Sequence, residues 1–318
     1  MKRIISLLIL LAAVCQGFSQ DNPWHRGEGQ FEYEYPHLPG KKITVYFYIP
    51  SRGDVASMRV LFAMHGADRD GAVNRMIWKD FAEVDGFVVI APEYAKPQFT
   101  ENDYQFGGIF SADGELKPQE QWTYSTIEAI FDLFRSQTGS RAEVYDMWGH
   151  SAGGQFTHRF ALAMPQARLA MAVAANPGTW TFPYLDGLKA ASGKVYGWPY
   201  SLADSPFDEE TLRKFFARKM IVQLGNLDTA TSGEHVPTDE AALAQGKHRF
   251  DRGRKFFKES RDLAKRMGAE FNWKKVEVEG IGHAGRGMTY GTYKLVNGKR
   301  QYSIDNITRT GAYSLLYR

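Results

Sequence analysis

Hydrophobic and polar positions follow two rhythms along this chain. Short, nearly continuous apolar runs recur: "KITVYFYIP" (42–50), "MRVLFAMHG" (58–66), "GFVVIAPEY" (86–94), "AEVYDMWGH" (142–150), "RLAMAVAANPG" (168–178), "KMIVQLGNLD" (219–228) and "FNWKKVEVEG" (271–280). Runs of this length, rich in β-branched and aromatic residues and stopped by Gly or Pro, predict strands buried on both faces. The earlier "FEYEYP" (31–36) alternates residue by residue and predicts an antiparallel edge strand. Between the runs the period changes. Residues 121–139 place Trp122, Ile127, Ile130, Phe131 and Phe134 at helical spacing before Gly139, and 247–268 form a charged helical stretch ending at Gly268. Strand alternating with helix predicts an α/β fold, a mostly parallel sheet with helices on both faces. One stretch keeps neither rhythm. Residues 177–208 are dense in Trp, Tyr, Pro and Gly, the composition of a lid or binding insertion or of a packed surface loop.

The first residues change the picture of where the chain works. Lys2 and Arg3 precede an apolar run from Ile4 to Val14, and small residues follow at Gly17 and Ser19. The pattern predicts a signal peptide over 1–19, cleaved after Ser19, with an apolar core too short to span a bilayer. A secreted or periplasmic protein is expected, and residues 20–318 are expected to form a single domain. Lipoprotein anchoring through Cys15 is the alternative, although Val14 is bulky for the position before a lipidated cysteine. Cys15 is the only cysteine, so the mature chain would hold no disulfide, cysteine nucleophile or thiolate metal site.

Bulk composition narrows the classes further. The 318 residues are 43% hydrophobic and 24% charged, enough apolar content for a large core. Thirty-nine basic residues against 36 acidic ones give a net charge of +3, with no basic run longer than a pair. That balance argues against a nucleic-acid partner. No second apolar run approaches membrane-spanning length. Oligomeric state is not legible.

Candidate chemistry centres on "DMWGHSAGGQF" (146–156), where Ser151 stands between Gly149 and Gly153. A G-x-S-x-G match alone is weak, since a glycine-rich chain of this size yields about 0.2 by chance. Its setting is informative: "AEVYDMWG" predicts a strand ending at the first glycine, and "SAGGQFTHRFALAMP" predicts a helix ending near Pro165. Strand, sharp turn and helix are the context in which a serine is held as a nucleophile, with flanking glycines letting the elements approach. A serine hydroxyl needs a base and an orienting acid. His283 follows the last predicted strand in "VEGIGHAGRG", where glycines let the loop reach the carboxyl edge of the sheet. His158 lies too far along the helix that follows Ser151 and His248 opens a charged helix, while His235 in a polar loop stays open. Asp228 follows a buried run and is the candidate acid; Asp204, Glu234 and Asp239 are its rivals. For the oxyanion, the backbone N–H groups of Ala152 and Ala67 are the candidates, one after the nucleophile and one in the loop "HGADRDG". His65 would shape that loop or touch substrate; as a metal ligand it lacks a partner at fixed spacing. Trp180, Tyr184 and Trp198, with Tyr196 and Tyr200, are candidate stacking residues for a substrate.

Taken in order, "MHGADRDG", "GFVVIAPEY", "WTYSTIEAIFDLFR", "WGHSAGGQFTHRF", "AANPGTW", "LGNLDTATSGEHVPTDEAALAQGKHRF" and "GIGHAGRGM" span residues 43–290. The chain thereby resembles the α/β-hydrolases, and within them is similar to the polyhydroxybutyrate-depolymerase and feruloyl-esterase-like secreted esterases. The resemblance implies a Ser151–His283–Asp228 triad, an acyl-enzyme on Ser151, a small-molecule or oligomeric ester substrate and no cofactor. Extracellular members of that group often carry binding domains or disulfides, and their absence here favours smaller or soluble esters. Two alternatives stand beside this reading: a serine peptidase of prolyl-oligopeptidase type, and a non-catalytic protein that holds carbohydrate or polymer on its aromatic loop.

Overall fold

A computed structural model describes residues 22–318; the segment 1–19, with Cys15 and the expected cleavage point, lies outside the described residues. The predicted strands form; the apolar runs are trimmed at their ends, and the alternating strand begins four residues earlier, at Gly27. In chain order, β1 (Gly27–Glu34), β2 (Lys42–Ile49), β3 (Arg59–Met64), β4 (Phe87–Glu93), β5 (Tyr145–His150), β6 (Leu169–Ala175), β9 (Met220–Gly225) and β10 (Trp273–Val278) make one eight-stranded sheet. Two short antiparallel pairs stand apart from it, β7 (Leu188–Lys189) with β8 (Val195–Tyr196), and β11 (Lys294–Val296) with β12 (Lys299–Gln301). The sheet order is β1-β2-β4-β3-β5-β6-β9-β10. β1 pairs antiparallel with β2 and β2 with β4; every other pairing is parallel. The alternating stretch is therefore an antiparallel edge strand, and its burial alternates half-buried with exposed as its sequence does.

The helices are α1 (Gly71–Asp85), α2 (Glu101–Tyr104), α3 (Ser125–Thr138), α4 (Ala152–Ala163), α5 (Glu209–Ala217), α6 (Glu240–Gln245), α7 (Arg249–Arg266), α8 (Gly285–Tyr290) and α9 (Ala312–Tyr317). Their ends carry the expected chemistry. Asp70 caps α1 by accepting from the Val73 N–H, and Gly86 and Gly139 close α1 and α3 in the left-handed conformation. Two apolar layers result, one on each side of the sheet. Phe131, Phe156, Phe160, Leu212 and Phe256 pack one face from α3, α4, α5 and α7. Trp78, Phe81, Met288 and Tyr313 pack the other from α1, α8 and α9. The central parallel strands are covered on both sides, which is why they read as apolar runs and not as alternating ones. No helix among the described residues is long and apolar enough to cross a membrane.

Much of residues 177–208, read above as a lid or binding insertion or as a packed surface loop, packs into the core. Trp180, Phe182, Leu188, Leu202 and Phe207 belong to the main core. Its start is pinned by the Thr181 N–H donating to His158 Nε2 at 3.1 Å and by Gln245, whose amide bonds both the N–H and the carbonyl of Trp180, while residues 191–195 are exposed.

Candidate active site

Five loops leave the carboxyl ends of the parallel strands and converge. Ser151 follows β5, Ala67 follows β3, Asn176 follows β6, Asp228 follows β9 and His283 follows β10. Ser151 is held at φ +58°, ψ −118°, a region that side chains other than glycine rarely adopt. The surroundings enforce it. A Cβ on Gly149 would stand 2.1 Å from the carbonyl oxygen of Gly153, and one on Gly153 would stand 2.1 Å from that of Met64. Both positions must be glycine for β5, α4 and the end of β3 to meet.

His283 Nε2 lies 2.9 Å from Ser151 Oγ, and its Nδ1 lies 2.7 Å from Asp228 Oδ2. Asp228 is 2% exposed, and its second oxygen accepts from Arg249 Nη1 at 3.2 Å. Arg249 also donates to the His235 carbonyl, joining the acid to the loop over 229–239. Asn176 links three of the loops: its amide donates to Gly282 O at 3.1 Å and its carbonyl accepts from Gly225 N–H at 2.8 Å. Leu227 N–H donates to Ile281 O, so the acid and base loops are bonded directly. The N–H groups of Ala67 and Ala152 make no hydrogen bond among the described residues, and both residues line the recess at Ser151. Ala152 opens α4, where the helix dipole favours negative charge.

The other candidates fall elsewhere. His158 is fully buried, with Nδ1 on Gly154 O and Nε2 accepting from Thr181. His248 caps α7, accepting from Asp251 N–H. His235 borders the recess and stands 3.6 Å from Asp68, with no bond to Ser151. Asp239 caps α6, Glu234 lines the recess as an exposed carboxylate, and Asp204 sits in a turn at φ +56°. Four of the expected substrate contacts need correction. His65 is buried, stacked on Tyr104 at 4.2 Å, and its Nε2 accepts from Tyr94 N–H. Burial drives its pKa down to about 3, and it shapes the loop from beneath. Trp180 is buried against Phe256 and His158, Trp198 packs on Phe207, and Tyr184 on Phe182. From the aromatic segment only Gly178, Thr179 and Tyr200 border the recess.

Sequence reasoning missed Arg249 and the buried set of Gln105, Gln155 and Arg159. Gln155 Nε2 donates to Gln105 Oε1 at 2.7 Å, and Gln155 Oε1 accepts from Arg159 at 3.0 Å and Thr179 at 2.8 Å. Arg249 did leave a signal, because a cation in the first turn of a helix opposes the dipole unless an acid faces it. His150, tilted at 44° against His283 with ring centroids 4.5 Å apart, was also missed. Its pKa is held well below the usual range, by burial first and then by the charges of His283 and Arg249. Among the described residues no group of three or more His, Cys, Asp or Glu is placed to hold a metal ion.

An eight-stranded sheet of this order, with a strained serine after β5 bonded to a histidine and a buried aspartate from later strand ends, defines a hydrolase fold of the α/β type. No protein-family model matches the chain, and no curated protein matches it. Solved structures do. Poly(aspartic acid) hydrolase-1 from Sphingomonas sp. KT-1 is 34% identical, covering 83% of this chain and 96% of its own, with a TM-score of 0.77. The poly(3-hydroxybutyrate) depolymerase LpqC from Bordetella parapertussis is 30% identical, covering 83% of this chain and 88% of its own, with a TM-score of 0.75. The chain belongs to the α/β-hydrolase family and is a hydrolase.

Proposed function

We propose that the protein is a serine esterase that hydrolyses carboxylic esters through an acyl-enzyme on Ser151. The single observation carrying this reading is the continuous bonded line from Ser151 Oγ through His283 to Asp228. Ser151 Oγ bonds to the ester carbon as its proton passes to His283 Nε2. The C–O bond to the alcohol breaks as that proton moves to the leaving oxygen. Water, deprotonated by His283, then attacks the acyl carbon, releasing the acid and restoring Ser151. Asp228 orients the imidazole and stabilises its protonated form. The N–H groups of Ala67 and Ala152, without hydrogen-bond partners among the described residues, would hold the oxyanion. Export after removal of residues 1–19 accompanies this proposal.

Replacing Ser151 with Ala tests it. Hydrolysis of p-nitrophenyl acetate by S151A is expected to fall at least ~10³-fold, the scale on which removal of a nucleophile acts. Turnover retained by S151A would contradict the reading. Amide hydrolysis is a second reading, favoured by the 34% identity to the poly(aspartic acid) hydrolase. It predicts release of amine from aspartyl oligomers at rates above ester turnover.

A further inference from the structure

Two recesses open from Ser151 in different directions, and their linings differ. The first, about 500 Å³, is lined by His283, by Val73, Met76 and Ile77 of α1, and by Arg286. Val73 and Met76 are 39% and 43% exposed. The second, about 250 Å³, is bordered by Ala152, Gln105, Gln155 and Tyr200 and by the acidic residues Glu101, Glu234 and Asp239. His283 borders the first alone; Ser151, Ala67 and His235 border both.

The reaction geometry assigns them. In the tetrahedral intermediate the carbon carries Ser151 Oγ, the oxyanion, the leaving oxygen and the acyl chain. The oxyanion faces the N–H groups of Ala67 and Ala152. The leaving oxygen must lie within hydrogen-bond reach of His283 Nε2 to take its proton, so the alcohol occupies the recess that His283 borders. The acyl chain is left with the second recess. Resting on the esterase reading above, we infer that the α1-side recess receives the alcohol, and that the polar recess receives a short acyl group that is neutral or carries an ammonium, never a carboxylate.

The charge preference comes from contacts. A carboxylate in the acyl recess would share it with three acidic residues, Glu101, Glu234 and Asp239, and with no Lys or Arg; His235 is the basic side chain on its border. The guanidinium groups beneath are committed elsewhere. Arg159 bonds Gln155, Thr181 and Thr179, Arg252 bonds the carbonyls of Gly246, Gly178 and Pro237, and Arg69 bonds those of Tyr94 and Thr100. None of the three borders the recess, and only the buried Arg69 Nε lacks a partner among their nitrogens, so their charge softens the long-range field from beneath the surface. An ammonium would find acceptors at once. The recess therefore selects differently from one built for a polyanion such as poly(aspartic acid), although the enzyme acting on that polymer is 34% identical to this chain.

The test uses the full-length protein and near-isosteric methyl esters followed by pH-stat titration: methyl 4-aminobutyrate, methyl butyrate and monomethyl succinate. kcat/KM is expected to fall in that order, with at least ~10-fold between the charged ends, which corresponds to about 1.4 kcal/mol. Exchanging Glu101→Gln and Glu234→Gln together should shrink that ratio, as should added salt. Met76→Ala should change the ratio of benzyl to methyl butyrate hydrolysis. Equal or greater activity on monomethyl succinate would overturn the charge assignment. A crossed pattern, with Met76→Ala altering the acyl ratio and the glutamine variants altering the alcohol ratio, would overturn the assignment of the recesses. If no ester turned over and a fluorophosphonate left Ser151 unlabelled, the esterase reading itself would fall and this inference with it.

Discussion

The turn at Ser151 and the aromatic segment 177–208 stand on either side of one recess, yet they are specified in opposite ways. At the turn, geometry is forced by groups a few residues away and by the end of β3: Gly149 against Gly153, Gly153 against Met64. In the aromatic segment, conformation depends on partners far along the chain. Trp180 stacks on Phe256 at 4.4 Å and packs beside His158, and its backbone is held by Gln245. The first region carries its reason in a short sequence window. The second has the composition of a binding surface and the packing of a core.

The largest effect should come from Gly153→Val. Its Cβ alone would collide with the Met64 carbonyl, a backbone atom that cannot move without displacing β3. Little or no folded protein is expected, measured by circular dichroism and recovery; a folded, active variant would show that the turn is more permissive than its geometry.

Trp180→Ala ranks next. A fully buried tryptophan is removed from a packed layer, and a loss of about 3–5 kcal/mol in urea unfolding is expected, with KM little changed in whatever folded protein remains. Unchanged stability with a raised KM would instead make Trp180 a substrate platform and erase the contrast between the two regions.

A smaller effect touches both regions through acid. His65 lies beneath the Ala67 loop and His158 in α4 against Trp180, and burial holds both folded-state pKa values below 6.5, that of His65 at about 3. Folded histidines of this kind stay neutral while the unfolded chain takes up protons. Their contribution is therefore intact above pH 6.5 and is lost as pH falls from there toward the folded value, at up to about 1.4 kcal/mol per pH unit for each group. Melting temperature should fall between pH 6.5 and pH 4, and His65→Asn should flatten that slope. An unaltered slope would mean that His65 titrates normally.

These contrasts also explain what could be read in advance. The parallel strands were legible because burial on both faces writes an uninterrupted apolar run, and the edge strand because burial on one face writes an alternation. Ser151, Asp228 and His283 were legible as a group because each follows a strand end, so separation in sequence translates into convergence in space. Arg249 and Asn176 were not, since their partners are fixed only once β6, β9 and β10 lie side by side. The set of Gln105, Gln155 and Arg159 was hidden for the same reason: it joins the residue after α2 to α4 across the core and leaves no periodicity. Trp180 misled because composition describes what a side chain can do, and only long-range packing decides whether it is accessible.

The central claim is that Ser151 is the nucleophile of this site. The most direct measurement is fluorophosphonate labelling of the full-length protein followed by tandem mass spectrometry of its peptides. A single adduct is expected on Ser151, strongly reduced in His283→Ala and absent in Ser151→Ala. An adduct on another serine, or none while ester turnover persists, would contradict the account.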